Sequence, residues 1–283
     1  MQILIAEHAG FCEGVERAYR IALEQTKTGK PVYMLGNLVH NSQVVEKLKN
    51  AGIKTVKSLS EIPTGIKGSL LISAHGVSPE VYNEAKKLKL EIIDTTCPWV
   101  KKAQHLAKEL ADKGMTVIII GDEGHPEVKG LLGWAGTNSL VVQTPEDLAG
   151  IESLNFFQSG IGVVAQTTQS EANFDAIVKA LRGKFKELVV HKTICGATSK
   201  RQNTAVELAQ KVELMLVIGD KMSANTKRLA ELCSQTGTET HQIQTADELD
   251  KNWIKGKAKI GITAGASTPE WVIKEVTTLL QAP

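Results

Sequence analysis

Residues 90–110 of the 283-residue chain read LEIIDTTCPWVKKAQHLAKEL: a short β-rich run, a polar turn, a cysteine and an amphipathic helical pattern. The same order recurs at residues 3–25 and 188–210. The cysteines of the three stretches are Cys12, Cys97 and Cys195. Short β-rich runs that alternate with helical patterns are typical of α/β domains with parallel strands. The stretch therefore predicts an α/β unit that occurs three times.

Two further segments follow each cysteine stretch in a constant order. The second segment is a strand pattern, a glycine, a polar turn and a helical pattern, and the third has a small or polar turn between its strand and its helix. The interval from cysteine to glycine is 24 residues in every repeat: Cys12 to Gly36, Cys97 to Gly121 and Cys195 to Gly219. Repeats at a fixed interval predict structural units that pack against one another.

The repeat predicts three α/β domains, at residues 1–96, 97–194 and 195–283, each with mostly parallel strands. Equal intervals favour three copies around a pseudo-threefold axis over the alternative, one long doubly wound sheet. The first strand pattern, residues 1–8, precedes the first cysteine turn, and residues 1–12 are candidates to join the third domain and its sheet. Because α/β sheets bind ligands beyond the carboxyl ends of their strands, the polar turns are expected to line a common site.

The composition excludes several classes of protein. Lys plus Arg is 33 and Asp plus Glu is 31, a formal net charge of +2, which argues against nucleic-acid and membrane-surface binding. No apolar run approaches the roughly 18 residues that span a bilayer, and no basic leader precedes the first apolar run, so we expect a cytoplasmic protein. In such a chain, four cysteines indicate metal binding or catalysis rather than a disulfide framework.

Three cysteines at equivalent strand-to-helix turns predict a shared metal site, with structural or redox thiols as the alternative. Cys233 lies outside the repeat, and it is expected to be a buried core residue. A helix N-terminus favours the thiolate form. Three thiolates suit zinc or an iron–sulfur cluster. The absence of a close CxxC pair favours the larger [4Fe–4S] cluster, in which three ligands leave one iron open as a Lewis acid.

The turns of the second and third segments carry uncharged donors at predicted helix starts, an arrangement typical of anion sites. A phosphate or diphosphate is the expected ligand. The donors are His40, Asn41, His125, Ser223 and Asn225 in the second segments, and His75, Thr167, Thr168 and Ser267 in the third. Acidic residues are sparse in these turns, and Glu127 is the exception. Burial or a neighbouring negative charge is expected to raise the pKa of Glu127 and make it a proton donor near neutral pH.

Other charged residues have simpler interpretations. We expect the helix that bears Lys101, Lys102 and Lys108 to present a solvated face. Neither a GxGxxG fingerprint after the first strand nor a P-loop is present, so NAD or ATP binding by those motifs is not predicted.

The chain resembles the 4-hydroxy-3-methylbut-2-enyl diphosphate reductase family over nearly its whole length. The motifs that carry the resemblance are GFCEGVERA, VHN, SAHGVS, DTTCPWV, GHPEV, QTTQS, TICGATSKRQ, MSANTKRL and AGASTPE. The resemblance implies a pseudo-threefold trefoil of three α/β domains around one central [4Fe–4S] cluster. Its three ligands would be Cys12, Cys97 and Cys195, and one iron would be open.

The resemblance also implies the roles of individual residues. The substrate-binding residues would be His40, His75, His125, Thr167, Ser223, Asn225 and Ser267. Glu127, Thr167 and His125 would be the catalytic residues, with Glu127 and Thr167 handling the substrate hydroxyl and delivering protons.

The implied reaction is the last step of the non-mevalonate isoprenoid pathway. Two electrons and two protons would convert (E)-4-hydroxy-3-methylbut-2-enyl diphosphate to isopentenyl and dimethylallyl diphosphates plus water, with ferredoxin or flavodoxin as the electron donor. The first alternative is a non-redox [4Fe–4S] hydro-lyase that acts on a phosphorylated metabolite. The second is a sensor that binds a phosphometabolite without converting it.

Overall fold

The computed structural model describes residues 1–149 and 160–281, in which twelve strands alternate with ten helices. The strands are β1 (Gln2–Ile5), β2 (Val32–Leu35), β3 (Ile53–Val56), β4 (Ser69–Ile72), β5 (Glu91–Asp94), β6 (Thr116–Ile120), β7 (Ser139–Val142), β8 (Ile161–Ala165), β9 (Leu188–Val190), β10 (Leu214–Ile218), β11 (Glu239–Ile243) and β12 (Lys259–Ala264). The helices are α1 (Glu13–Thr26), α2 (Ser42–Asn50), α3 (Pro79–Lys87), α4 (Pro98–Asp112), α5 (Pro126–Ala135), α6 (Glu171–Lys184), α7 (Gly196–Ala209), α8 (Ala224–Gln235), α9 (Lys251–Ile254) and α10 (Glu270–Gln281). None of the helices in these residues is long and apolar enough to cross a membrane.

The strands form three sheets of four parallel strands each. The strand orders are β1-β12-β10-β11, β3-β2-β4-β5 and β7-β6-β8-β9. In each sheet the two central strands come from the second and third segments of the repeat, and the strand that leads to a cysteine lies at one edge. The prediction of three α/β units with parallel sheets is therefore confirmed.

The first strand pairs with the last one. β1 runs parallel to β12, with Gln2 opposite Lys259 and Ile5 opposite Ile262. The N-terminal strand thus completes the sheet built from the third repeat.

Contacts divide the chain into two compact units. The first unit comprises Met1–Glu16, Val39–Glu46 and the chain from Gly196, and the second comprises Arg17–Leu38 and Lys47–Cys195. The first contains the sheet β1-β12-β10-β11, and the second contains the other two sheets. The three domain ranges and the pseudo-threefold arrangement stay predictions.

Burial explains why the central strands are continuous apolar runs. β6, β8 and β10 are buried at every residue, as expected for parallel strands that helices cover on both faces. Pro79, Pro98 and Pro126 begin α3, α4 and α5, where proline fits because the first helical N–H needs no partner within the helix.

A glycine ends the second-segment strand in all three repeats, and its N–H donates to the carbonyl of the neighbouring short strand. The bonds are Gly36 to Val56 (2.9 Å), Gly121 to Val142 (3.0 Å) and Gly219 to Ile243 (2.9 Å). A Cβ on Gly219 would lie 2.6 Å from Thr226 Oγ1, so a larger residue would force the Thr226 side chain of α8 to move. The glycine therefore lets the polar turn sit close to the carboxyl end of its sheet.

Candidate active site

The three repeat cysteines lie in turns with the same backbone hydrogen bond. Each occupies the position directly before a helix, α1, α4 or α7. Each cysteine N–H donates to the carbonyl of the equivalent residue in a third-segment turn: Cys12 to Ala266 (3.3 Å), Cys97 to Ala74 (3.0 Å) and Cys195 to Thr167 (3.1 Å). The repeat thus places each thiol at the same position relative to its own sheet.

The donor set formed by these cysteines is suited to a soft metal centre. All four cysteines of the chain are present as thiols, and the three in the repeat are half-buried. Thiolates at helix starts are ligands of zinc and of iron–sulfur clusters. Cys233 differs, because it is fully buried and burial raises the pKa of its thiol to about 11. The prediction that Cys233 is a core residue is confirmed.

In the second unit, the Glu127 carboxylate is buried in contact with Thr167. The Thr167 N–H donates to Glu127 Oε1 (2.6 Å), and the Thr167 hydroxyl donates to Glu127 Oε2 (2.9 Å). Glu127 is only 2% exposed, and burial raises its pKa to about 7, against the lowering effect of the two Thr167 hydrogen bonds. Both protonation states are therefore populated near neutral pH, as the sequence predicts for a proton donor.

Two histidines of the second unit lie close to each other. The rings of His75, after β4, and His125, after β6, are edge to face with centroids 5.2 Å apart. His125 also caps α5, because its Nδ1 accepts the Glu127 N–H at 3.2 Å. A neutral ring whose Nδ1 accepts carries its hydrogen on Nε2, so Nε2 is the donor atom of the His125 ring.

Gln166 is a buried residue of the second unit that sequence reasoning missed. Its Oε1 accepts the Asp122 N–H, and its Nε2 donates to Thr168 Oγ1, both at 2.9 Å. The side chain thereby joins the turn that leads to Glu127 to the turn that carries Thr167. The repeat contains a signal for it, since Gln166 occupies the position held by the small residues Ser73 and Gly265 in the other copies.

In the first unit, Asn225 is a buried amide. It is 4% exposed, and neither its Nδ2 nor its Oδ1 has a hydrogen-bond partner among residues 1–149 and 160–281. A buried polar group without a partner costs about 1–3 kcal/mol. The preceding turn ends at Ser223, whose hydroxyl caps α8 by accepting the Thr226 N–H at 3.3 Å. Because its two polar atoms are buried and lack a partner among these residues, the Asn225 amide is suited to bind a polar ligand.

The turn that carries His40 is tied to three turns of the first unit. Ser267 Oγ donates to the His40 carbonyl (2.8 Å), the Ser42 N–H donates to Asp220 Oδ2 (3.2 Å), and Gln244 Nε2 donates to Ser42 Oγ (2.6 Å). Burial lowers the pKa of His40, partly offset by the Asp220 carboxylate, so its ring is neutral at pH 7. Sequence reasoning missed Asp220 and Gln244, although the second repeat has the same residue types at the equivalent positions, Asp122 and Gln143.

Within each unit, then, the structure brings predicted residues together. The first unit joins His40 to Ser267 and contains Ser223 and Asn225, and the second joins Glu127 to Thr167 and His75 to His125.

Comparisons with known proteins point to one family. The LytB protein family model matches residues 3–281. A 4-hydroxy-3-methylbut-2-enyl diphosphate reductase from Geobacter sp. (strain M21) is 43% identical over 282 residues, covering 100% of this chain and 98% of the relative. The reductase of the same name from Clostridioides difficile is 44% identical over 282 residues, covering 99% of each chain.

Two solved structures are similar over the same length. The E-1-hydroxy-2-methyl-but-2-enyl-4-diphosphate reductase from Plasmodium falciparum has a TM-score of 0.93 and 32% identity, covering 100% of this chain and 88% of that one. A structure described as (E)-4-hydroxy-3-methyl-but-2-enyl diphosphate reductase, the terminal enzyme of the non-mevalonate pathway, has a TM-score of 0.71 and 40% identity, covering 99% of both chains.

Proposed function

We infer the roles of the site residues from the premise that this chain belongs to the LytB protein family of 4-hydroxy-3-methylbut-2-enyl diphosphate reductases. It is an oxidoreductase of the non-mevalonate pathway, in a family of iron–sulfur enzymes. The reductase names of the relatives favour this function over the non-redox hydro-lyase and the sensor. What we propose beyond the family is the cluster type, its ligands, the substrate contacts, the proton path and the electron donor.

We propose that Cys12, Cys97 and Cys195 hold a [4Fe–4S] cluster. The observation that carries the proposal is the shared backbone hydrogen bond of the three cysteine turns, since equivalent turns present equivalent ligands. When bound, such a cluster supplies electrons and an iron without a cysteine ligand that acts as a Lewis acid.

The diphosphate is held by uncharged donors. The Asn225 amide, the Ser223 hydroxyl and the imidazoles of His40, His75 and His125 are its proposed contacts. The Ser267 hydroxyl joins them when its single hydrogen turns from the His40 carbonyl to a phosphate oxygen. The two unpartnered amide atoms of Asn225 support this role, because a ligand oxygen would relieve the cost of their burial.

Glu127 delivers a proton through Thr167. The backbone N–H of Thr167 can only donate, so Glu127 Oε1 is always an acceptor. In the neutral acid the proton therefore sits on Oε2, 2.9 Å from Thr167 Oγ1, which can accept it and pass its own hydrogen to the substrate oxygen. Protonation of that oxygen makes water the leaving group of the reductive dehydroxylation, which yields isopentenyl and dimethylallyl diphosphates.

The decisive test is the purification of the protein without oxygen. We expect a brown protein with about four irons per chain that converts the allylic diphosphate with reduced methyl viologen as the electron source. Consumption of electron equivalents in step with product separates a reductase from a hydro-lyase. A colourless protein that contains only zinc would contradict the proposal.

The pH dependence of turnover tests the proton path. Because the protonated form of Glu127 is the donor and its pKa is about 7, we expect kcat to fall as the pH rises through 7. The Thr167→Val substitution removes a hydrogen bond that lowers this pKa, so the fall should move to higher pH, on a lower plateau. Thr167→Ser keeps the hydroxyl and serves as the control. A midpoint that stays in place or moves to lower pH in Thr167→Val would contradict the assignment.

A further inference from the structure

The Cys12 loop, which comprises residues 6–12 between β1 and α1, differs from the turns of the other two repeat cysteines. Two residues before Cys97 and before Cys195 the chain has a threonine, whose hydroxyl donates to the carbonyl at the end of the neighbouring strand. These bonds are Thr95 to Ile72 and Thr193 to Ala165. Two residues before Cys12 the chain has Gly10. Since glycine has no side chain, the Cys12 loop lacks the bond that fastens the other two turns to their sheets.

The backbone of the Cys12 loop explains the glycine. Gly10 has a φ of +95°, in the left-handed region that glycine adopts without strain. A Cβ at this position would also lie 3.0 Å from Ile273 Cδ1 and 3.2 Å from the Thr268 carbonyl oxygen. A threonine, as in the other two repeats, therefore does not fit here.

A buried arginine of α7 contacts the Cys12 loop instead. Arg201 is 2% exposed, and its Nη2 donates to the Gly10 carbonyl at 2.9 Å. Its Nη1 donates to the carbonyl of Ala197, one turn earlier in the same helix, at 3.3 Å. The Thr204 hydroxyl has the Glu7 carbonyl as its nearest acceptor, at 2.7 Å. Two side chains of α7 thus hold the loop that leads from β1 to the first cysteine.

The repeat has alanine at the two positions equivalent to Arg201. Six residues after their cysteines, α1 has Ala18 and α4 has Ala103, and both side chains are fully buried. Arginine is rarely buried to this extent, because hydrogen bonds must offset the lost hydration of its charge. The third copy alone has the buried arginine, and the first copy alone has lost the threonine. These two exceptions indicate that the arginine replaces the missing threonine bond.

We propose that Arg201 is a positioning residue, which fixes the Cys12 loop so that the Cys12 thiol is presented to the iron–sulfur cluster. The inference rests on the proposed function, in which Cys12 is a cluster ligand. Arg201 acts through the backbone, because its bond to the Gly10 carbonyl restrains the loop two residues before the thiol. The Thr204 hydroxyl adds a weaker restraint, since a bond from a neutral donor contributes less than one from a charged group.

The test uses variants that remove the side-chain donors and keep the space filled. Arg201→Met has a side chain of similar length without a donor. Thr204→Val removes the second bond at a half-buried position and serves as the deciding variant if Arg201→Met does not fold. Thr204→Ser keeps a hydroxyl and is the conservative control. Thr193→Val is the crossover control, because it removes the threonine bond of the Cys195 turn.

The readout is the initial rate at which each cysteine of the iron-loaded protein reacts with iodoacetamide, measured on the cysteine peptides by mass spectrometry. A bound thiolate reacts only when its loop opens, so this rate reports the local opening. In Arg201→Met we expect the rate at Cys12 to rise about tenfold or more, with a much smaller change at Cys97 and Cys195.

The other variants show whether the effect is specific. Thr204→Val should raise the rate at Cys12 about threefold, and Thr204→Ser should restore the rate of the unsubstituted protein. Thr193→Val should raise the rate at Cys195 and leave Cys12 unchanged. A merely structural role of Arg201 would speed the reaction of all three cysteines alike. Equal rises at the three cysteines, or an unchanged rate at Cys12, would overturn the proposal.

Hydrogen exchange separates this proposal from the proposed function. The N–H groups of Gly10 and Cys12 donate to the carbonyls of Ala264 and Ala266, both at 3.3 Å. Arg201→Met should make their exchange about tenfold faster whether or not iron is bound, and unchanged exchange contradicts the positioning role. An unsubstituted protein that binds no iron after anaerobic purification would instead contradict the proposed function, and the exchange rates would still decide on Arg201.

Discussion

Glu127→Gln is expected to lower kcat by about 10²–10⁴-fold, the usual contribution of a positioned proton donor. Glutamine has nearly the same shape and fills the same buried space, but it has no proton to give at any accessible pH. The iron content and visible spectrum of the protein should be unchanged, because the side chain holds no metal in this proposal. Single-turnover rates and iron analysis on the same preparation measure the two effects.

Glu123→Gln is the matched control for this variant. Glu123 lies in the turn just before α5 and is exposed, so the identical chemical change there should leave kcat near that of the unsubstituted protein. The fall in kcat above pH 7 should also vanish in Glu127→Gln. Undiminished activity of Glu127→Gln would remove Glu127 from the proton path.

Replacement of any one repeat cysteine is expected to abolish turnover and to cause loss of most of the iron. Cys12→Ser, Cys97→Ser and Cys195→Ser should behave alike, since the hydrogen bonds of their turns are equivalent. A serine hydroxyl has a far higher pKa than a thiol and is a poor ligand for iron in a cluster. Iron content per chain and the visible absorbance after anaerobic purification are the measurements.

Cys233→Ala provides the comparison among the cysteines. Its thiol is fully buried in the core with Ala205, Met215, Val217 and Leu229, so the substitution should cost about 1 kcal/mol of stability and leave the iron content unchanged. Full iron and activity in one of the three serine variants would show that this cysteine is not a ligand.

The fold was largely predictable from the spacing of residues. Three equal intervals between cysteine and glycine predicted three α/β units, and three parallel four-stranded sheets confirm them. The partner of the first strand was left open, because a strand pattern states which residues are buried and not which neighbour they pair with. The pairing of β1 with β12 brings together residues more than two hundred positions apart.

The chemistry of the site was predictable where it depends on residue type and on helix position. Glu127 was expected to have a raised pKa, and burial alone raises it, with no neighbouring charge needed. Gln166, Asp220 and Gln244 were missed, because their role is to hold turns that lie far apart in the sequence. Lys101, Lys102 and Lys108 were expected on a solvated face, and all three are exposed. The sequence did not show that Lys101 and Lys108 line a surface cavity together with Lys86 of another helix.

The amino-acid sequence by itself determined the α/β class, the three copies, the cysteine turns and the chemical types of the site residues. The class, the cysteine turns and the residue types follow from patterns within about 25 consecutive residues, over which strand, turn and helix preferences act. The three copies follow from the recurrence of such a pattern along the chain. The tertiary structure alone decided which strand completes each sheet, how deeply Glu127 is buried against Thr167, and which lysines share a cavity with Trp134. Burial and long-range hydrogen bonds depend on the packing of distant segments, and no local pattern specifies that packing.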